Sequence, residues 1–237
     1  MECLYAPSLN PKSSHVLLSD EESKHAKVLR LYEGDLLLLS SGTGYLAKAI
    51  IDGYEKEFVR ASILECRFME HELRYPFDIA LPLLSSKERM EFCVEKLTEL
   101  GIRNIFPFIS ERTQIHSAEI TRMQAKALSA MKQSKRSILP TIHPITMFQE
   151  IVTIGASHAM TIIGEVKGLP TIPTSMFTRD ASSSLLLCIG PEGGFTDSEL
   201  LQLKSMPNIV PLRLGKTRLR AETAALALAS AIIYHFD

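Results

Sequence analysis

Short apolar runs separated by turn residues fill the N-terminal part of the chain. We predict strands over Val16–Leu18, Asp35–Ser40, Tyr45–Ile51 and Phe58–Leu64, because runs of this length between turn residues are typical of strands. Closely spaced strands in so short a stretch indicate a small β-barrel.

One helix interrupts these strands. Ser19 and Glu22 have the spacing of a capping box, in which each side chain bonds a backbone N–H group at the start of the helix. An apolar stripe through Ala26, Leu29 and Leu31 follows. We therefore predict a helix that begins after Ser19.

After the polar stretch 67–76 the pattern changes, and strands alternate with helices. The predicted strands are Asp78–Leu84, Ile105–Ile109, Met160–Ile163, Leu185–Ile189 and Asn208–Leu212. Such alternation predicts an α/β domain with a mostly parallel sheet. We expect a small barrel domain over residues 1–70 and an α/β domain over residues 71–237.

Capping signals and apolar periodicity predict the helices of the second domain. The basic helix is Ile120–Lys135, and the last helix, Glu222–His235, is nearly all apolar. One packed face does not require so many apolar residues, so we expect a homodimer that covers part of this helix. The capping signals are Ser85 with Glu88, Thr196 with Glu199, and a stop at Gly101.

Composition is that of an ordinary globular protein. Hydrophobic residues make up 46% of the chain and charged residues 22%, and no apolar run approaches the ~18 residues that span a bilayer. The beginning of the chain lacks the basic segment and apolar run of a secretory signal. The four cysteines are scattered without metal-ligand spacing, which argues against disulfides and against a bound metal. We expect a cytoplasmic protein that binds no membrane.

The net charge is −1, but basic residues are concentrated in two places. The stretch Arg112–Gln149 contains Glu119 as its single acid, and a second basic cluster lies within Arg213–Arg220. Such patches can bind phosphate groups locally even when the whole chain is nearly neutral. A solvated helix face and a basic loop would have the same composition, so this alternative stays open.

Two nucleotide-binding patterns are present only in part. Gly42–Ala47 fits the loose dinucleotide pattern G-x-G-x-x-A, but Asp52-Gly53 breaks the chain where that fold needs a helix. Gly215–Thr217 looks like the end of a P-loop, but Val210 stands where the first glycine is required. We interpret Gly42–Ala47 as a hairpin turn, and NAD and ATP lose most of their support as cofactors.

Two further segments each join a strand end to a helix start. Ile189–Thr196 holds three glycines around a proline, which expose backbone N–H groups to a ligand. Arg213–Ala225 contains Arg220 and Glu222 at the beginning of a helix. Open α/β sheets bind ligands at the carboxyl ends of their strands, so we predict a binding site here. For Arg220 and Glu222 the plain alternative is a surface arginine beside an ordinary first-turn acid.

Taken together, these segments resemble the family of ribosomal small-subunit methyltransferase E, which are knotted SPOUT-type enzymes. Ile189–Gly194 matches the family motif I-G-P-E-G-G, and Leu214–Ala224 is similar to L-G-x-R-I-L-R-T-E-T-A. Further similar segments are His25–Arg30, Lys96–Ile102 and Gln133–Arg136. The chain departs from the family pattern at Lys132, Thr217, Arg218 and Ala221.

The resemblance implies a PUA-like N-terminal barrel, a trefoil-knotted methyltransferase domain and a homodimer. It also implies transfer of a methyl group from S-adenosylmethionine to N3 of a uridine in 16S ribosomal RNA, the RNA of the small subunit. Two alternatives remain open. One is a knotted methyltransferase that acts on another RNA base, and the other is a non-enzymatic RNA-binding or ribosome-assembly protein with the same fold.

The same resemblance suggests roles for individual residues. Arg220 and Glu222 are the candidate catalytic residues, with Glu192 behind them, because a cation favours anionic uracil and a carboxylate can accept its proton. We interpret His25 and His158 as surface or packed histidines. The candidate RNA-binding residues are Lys27, Arg30, Arg112, Lys132, Gln133 and Arg136. The candidate donor-binding residues are Ile163, Gly164, Ile189, Gly190, Pro191, Gly193, Gly194, Leu212, Leu214, Gly215, Leu219 and Thr223.

Overall fold

The computed structural model describes residues 1–172 and 183–236. These residues form two compact units, and each has its own β-sheet. The N-terminal unit comprises Met1–Glu72 and Ala127–Leu139, and the α/β unit comprises Leu73–Lys126 and Pro140–Asp237. The return of residues 127–139 to the N-terminal unit was not predicted.

A mixed sheet and one helix make up the first part of the N-terminal unit. The elements are β1 (Cys3–Tyr5), β2 (His15–Leu17), α1 (Asp20–Val28), β3 (Leu36–Ser40), β4 (Tyr45–Glu55) and β5 (Phe58–Phe68). The strand order is β1-β3-β4-β5-β2, with β1 parallel to β3 and the other pairs antiparallel. The predicted strands and helix are confirmed, whereas β1 is too short for a sequence signal.

A glycine-containing hairpin turn joins β3 to β4, as predicted. Gly42 and Gly44 have φ angles of +72° and +107°, which L side chains rarely adopt. A Cβ atom at Gly44 would also lie 2.7 Å from the ring of Phe68. The turn leads into a strand instead of a helix, so the G-x-G-x-x-A pattern here does not form a dinucleotide site.

The start of α1 confirms half of the predicted capping box. The Ser19 hydroxyl accepts a hydrogen bond from the Glu22 N–H at 3.2 Å. The Glu22 carboxylate does not return to the cap but accepts from the N–H of Tyr5 at 3.1 Å and from Lys132 at 2.6 Å. Because Glu22 is buried, its carboxylate bonds groups inside the N-terminal unit instead of water.

Two ion pairs hold the segment Ala127–Leu139 within the N-terminal unit. Besides the pair of Lys132 and Glu22, Arg136 donates to Glu72 at 2.7 Å, and each of these two side chains is 3% exposed. The other oxygen of Glu72 accepts from the N–H groups of Ser137 and Ile138 at 2.8 and 2.9 Å. We call the contacts of Glu72 with residues 136–138 the Glu72 clasp.

The α/β unit contains a parallel sheet. The elements of this unit are β6 (Phe77–Pro82), α2 (Lys87–Glu99), β7 (Asn104–Ile109), β8 (Thr141–Ile142), β9 (Thr146–Met147), α4 (Phe148–Ala156), β10 (Met160–Leu169), β11 (Leu185–Cys188), α5 (Asp197–Lys204), β12 (Ile209–Leu212) and α6 (Ala221–Phe236). Among the described residues the strand order of the sheet is β12-β10-β11-β6-β7-β8, and β9 also pairs with β7. The basic helix α3 (Ile120–Ser134) begins in this unit and ends in the other. The parallel sheet is confirmed, whereas β8, β9 and α4 were not predicted.

Most of the predicted capping signals are confirmed. Thr196 and Glu199 form a complete capping box at the start of α5. Gly101 has a φ of +100° directly after the end of α2, as a glycine stop requires. The N-cap of α2 is Ser86 instead of Ser85, because the Ser85 hydroxyl donates to Glu192.

The last helix, α6, buries one face instead of several. Ala225, Leu228, Ala229 and Ile232 are fully buried at helical spacing, and α6 packs against α2, β10 and β11. Tyr234 lies on the opposite side and is 94% exposed. The apolar composition of this helix is therefore only partly explained by packing within the α/β unit.

Within residues 1–172 and 183–236, no helix combines the length and apolar character needed to cross a membrane. In the same residues, no group of three or more histidine, cysteine, aspartate or glutamate side chains is arranged to hold a metal ion.

Candidate active site

Three parallel strand ends meet at one edge of the sheet in the α/β unit. Strand β10 lies between β11 and β12, with Ile163 opposite Cys188 and Gly164 opposite Leu212. The segments that follow β11 and β12 therefore begin at the same edge, one on each side of β10. These segments are the two loops that the sequence predicted to form a binding site, 189–196 and 213–220.

Gly164 lies where the two loops approach each other. A Cβ atom at this position would lie 2.8 Å from Cδ1 of Ile189 and 3.3 Å from Cδ1 of Leu214. The structure thus brings together predicted donor-binding residues from β10 and from both loops. Ile163, Ile189 and Leu212 are buried around them.

The glycines of the first loop serve different purposes. A Cβ atom at Gly190 would meet the ring of Phe195 at 3.1 Å, so this glycine allows close packing. Gly194 has a φ of +69° with no atom within 4 Å of an added Cβ, and its N–H donates to the carbonyl of Pro191 at 2.7 Å. The turn therefore needs glycine at position 194 for its backbone conformation and leaves open space beside it.

Arg112 supports this loop from outside. Its Nη1 donates to the carbonyls of Gly193 and Phe195 at 3.0 and 3.2 Å. A Cβ atom at Gly193 would lie 3.0 Å from Cβ of Arg112. The side chain that the sequence suggested for binding RNA thus holds the conformation of residues 193–195.

Glu192 connects the first loop to the segment after β6. One carboxylate oxygen, Oε1, accepts from the N–H and the hydroxyl of Ser85 at 3.0 and 2.8 Å. Burial by itself would raise the pKa of Glu192, but the hydrogen bonds from Ser85 and the nearby Arg89 guanidinium outweigh burial and hold that pKa below its ordinary value. Arg218 of the second loop donates to the Glu192 carbonyl at 3.0 Å. Glu192 therefore joins three segments of the site.

Arg89 of α2 is a cation of the site that the sequence analysis missed. Its Nη1 lies 4.0 Å from Oε1 of Glu192 and 3.7 Å from Oε1 of Glu222, and its Nη2 donates to the Ser85 hydroxyl at 3.2 Å. One signal in the sequence was its position. Arg89 lies in the first turn of a helix, where the helix dipole favours acidic residues, so an arginine there is unusual.

Glu222 lies in the first turn of α6 and Arg220 directly precedes this helix, but the two side chains do not pair with each other. The Glu222 side chain is 10% exposed and faces Arg89. The Oε2 atoms of Glu222 and Glu192 are buried, and within the described residues neither has a hydrogen-bond partner. Arg220 is exposed, its carbonyl accepts from the N–H of Ala224 at 2.8 Å, and no ion pair of its side chain is found in the described part of the chain.

The other residues predicted for donor binding are in more open positions. Gly215 has no atom within 4 Å of an added Cβ, Leu219 is half-buried, and Thr223 is exposed. The backbone of the second loop is therefore accessible beside Gly164.

The residues predicted to bind RNA differ strongly in exposure. Lys27, Arg30 and Gln133 are exposed on the N-terminal unit. Lys132 is 16% exposed and Arg136 is 3% exposed, and both are paired with buried carboxylates. A phosphate could not reach Arg136 without breaking the Glu72 clasp, so this residue is a structural cation.

His158 is packed at the opposite edge of the sheet, which is one of the two environments expected for it. Its Nε2 lies 3.0 Å from Asp78 and its Nδ1 lies 2.8 Å from the carbonyl of Ile154. Burial would lower the pKa of His158, but the bonds to Asp78 and Ile154 and the charge of Asp78 raise it overall. Because both neighbours accept hydrogen bonds, they favour the doubly protonated ring.

Comparison with families of known proteins gives two matches. A model of the RNA methyltransferase domain matches residues 71–233, more than half of the chain. A model of the RNA methyltransferase PUA domain matches residues 18–64.

Individual relatives are similar over nearly the whole length. The ribosomal RNA small subunit methyltransferase E of Bacillus subtilis is 29% identical over 235 residues, covering 93% of this chain and 90% of its own. The protein of the same name from Rickettsia conorii is 28% identical, covering 94% of this chain and 91% of its own. A crystal structure of ribosomal RNA small subunit methyltransferase E from Neisseria gonorrhoeae bound to S-adenosyl methionine is similar with a TM-score of 0.87 and 29% identity, covering 100% of this chain and 98% of that one.

Proposed function

The chain belongs to the RNA methyltransferase family, and from this premise we propose that it methylates N3 of a uridine in small-subunit ribosomal RNA with S-adenosylmethionine as the donor. The meeting of Gly164, Ile189 and Leu214 at one edge of the sheet carries the proposal. Further support comes from the relatives named ribosomal RNA small subunit methyltransferase E and from the one bound to S-adenosyl methionine.

The residues at this edge fit the methyl donor. Apolar side chains of Ile189, Leu212 and Leu214 suit its adenine ring, and exposed backbone near Gly194 and Gly215 suits its polar groups. The buried Oε2 atom of Glu192 suits its positive charge. When bound, the donor supplies a methyl group on a positively charged sulfur.

Two side chains beside this pocket can prepare the uracil. Loss of the N3 proton makes N3 a stronger nucleophile, and the Glu222 carboxylate is our candidate acceptor for that proton. The exposed guanidinium of Arg220 is free to hold the uracil or a neighbouring phosphate and to favour the anionic base. Because N3 lies on the Watson–Crick edge, the target base must be unpaired or flipped out of its stack.

We place the main RNA contact of the α/β unit on the second basic cluster instead of the stretch around α3. Arg213 and Lys216 are exposed, and no acidic partner for either is found within residues 1–172 and 183–236. By contrast, Arg122 and Lys126 lie 2.7 and 3.9 Å from the carboxylate of Glu91. On the N-terminal unit, the exposed candidates Lys27, Arg30 and Gln133 remain in the proposal.

The homodimer, the trefoil knot and the cytoplasmic location stay predictions. Tyr234, 94% exposed on a helix of apolar composition, favours a partner surface on α6. Light scattering at micromolar concentration should give twice the chain mass, whereas a monomeric mass would contradict the dimer.

The proposed function is tested by donor binding and by product analysis. We expect calorimetry to show binding of S-adenosylmethionine, and nucleoside mass spectrometry to show 3-methyluridine in small-subunit ribosomal RNA after incubation with the protein. Arg220→Ala should reduce single-turnover methyl transfer by about 10²-fold, with little change in donor affinity. Methylation of another base would favour the first alternative, and RNA binding without donor binding would favour a non-enzymatic protein.

A further inference from the structure

The cluster of Arg89, Glu192 and Glu222 contains a cation shared by two carboxylates. The Nη1 atom of Arg89 lies 4.0 Å from Oε1 of Glu192 and 3.7 Å from Oε1 of Glu222. The three residues come from α2, from the loop after β11 and from the first turn of α6. Residues so far apart in the chain thus meet at the edge of the sheet that carries the donor pocket.

The second oxygen of each carboxylate is available. Oε2 of Glu192 and Oε2 of Glu222 are both buried, and within the described residues neither accepts a hydrogen bond. A buried carboxylate oxygen without a partner is costly, so such atoms in a binding site are typical of groups that await a ligand. The first oxygen of Glu192 is held by Ser85 and Arg89, which leaves only Oε2 for a ligand.

From this geometry we propose that Arg89 is a positioning residue for methyl transfer, because it holds one oxygen of both carboxylates and leaves the other oxygen of each for the substrates. This inference rests on the proposed function. In this arrangement Glu222 offers Oε2 to the uracil N3 proton, while its Oε1 faces the guanidinium of Arg89.

Neither Arg218 nor Arg220 replaces the positive charge that Arg89 brings to the cluster. The guanidinium of Arg218 is bound to the carbonyl of Glu192. Cys93, one turn along α2, is buried, and burial together with nearby Glu222 raises its thiol pKa to about 12, so it is uncharged at ordinary pH. Arg220 lies two residues before Glu222 in the sequence but makes no ion pair within the described residues.

The test compares Arg89→Met with Arg89→Lys, and Lys96→Met is the matched control. Lys96 lies on the same helix and also contacts two carboxylates, Glu95 at 2.8 Å and Glu99 at 2.7 Å, but outside the site. The first measurement is a ¹³C NMR titration of the Glu192 carboxyl carbon, assigned with Glu192→Gln. We expect Arg89→Met to raise the pKa of Glu192, Arg89→Lys to restore it partly, and Lys96→Met to leave it unchanged.

The second measurement is the single-turnover methyl-transfer rate against pH at saturating donor. Arg89→Met should reduce the rate by about 10- to 100-fold near neutral pH, and the loss should shrink as pH rises because Glu192, whose pKa Arg89 no longer lowers, ionises more fully at higher pH. An unchanged Glu192 titration, or a rate loss that is equal at all pH values, would overturn the role of Arg89. Absence of methyl transfer by the wild type would overturn the proposed function instead, and the titration would still decide whether Arg89 governs the carboxylate.

Discussion

Gly164 and Gly215 of the candidate active site differ in what an added Cβ atom would meet, so substitutions there test the packing of the loops and the binding of a ligand separately. At Gly164 an added Cβ would lie 2.8 Å from Cδ1 of Ile189, so Gly164→Ala pushes the flexible end of that side chain aside, at little cost in stability. At Gly215 an added Cβ would meet no atom within 4 Å, so Gly215→Ala should leave the folded protein undisturbed.

We therefore expect Gly164→Ala to lower the donor affinity with only a small decrease in the melting temperature, because the displaced side-chain ends belong to the proposed donor site. Gly215→Ala should keep the melting temperature and lower the donor affinity by about 10-fold, because its methyl group occupies space beside the donor. Thermal unfolding and calorimetry with S-adenosylmethionine measure the two effects separately. Full affinity in both variants would place the donor elsewhere.

At the scale of elements, the Glu72 clasp explains why the end of a basic helix belongs to the N-terminal unit. Arg136 and Glu72 are each 3% exposed, so Glu72→Gln takes the carboxylate away from a buried guanidinium. We expect a loss of about 3 kcal/mol or more in the free energy of unfolding, measured with denaturant.

A matched control for the clasp is Arg67→Gln. Arg67 pairs with Glu65 and Glu70 on the surface, where its side chain is 53% exposed, and solvent-exposed pairs contribute little to stability. Similar losses in the two variants would show that burial does not strengthen the clasp. Because Arg136 is part of the clasp, Arg136→Ala should lower the stability of the fold, and a loss of RNA affinity in that variant would reflect this destabilisation first.

At the scale of the whole molecule, the distribution of unpaired positive charge predicts how RNA binding depends on salt. Arg213 and Lys216 have no acidic partner in the described residues, whereas Glu91 partly neutralises Arg122 and Lys126. If Arg213 and Lys216 contact phosphates, replacing both by glutamine should reduce the slope of log affinity against log salt by about 2.

The corresponding double variant of Arg122 and Lys126 should change that slope less. Affinity for small-subunit ribosomal RNA, measured at several salt concentrations, distinguishes the two clusters. An equal change in both variants would mean that the basic face of α3 contacts RNA as strongly as the second loop.

Local sequence patterns were sufficient to predict most of the fold and the two loops that meet at one edge of the parallel sheet. The capping box of Thr196 and Glu199, the stop at Gly101 and the glycines of 189–194 each act within a few residues, so their spacing in the sequence determines their structure. The same holds for the alternation of strands and helices that predicted the parallel sheet. Very short elements such as β8 and β9 carry too few residues for any such pattern.

Only the tertiary structure decided which charges work together. Arg89 meets Glu192 and Glu222, and Arg136 meets Glu72 across 64 residues of sequence, because the path of the chain brings their elements into contact. No periodicity encodes such pairs. The sequence by itself therefore determined the family, the parallel sheet and the two loops of the candidate site, whereas packing determined which cations are buried in ion pairs and which remain exposed.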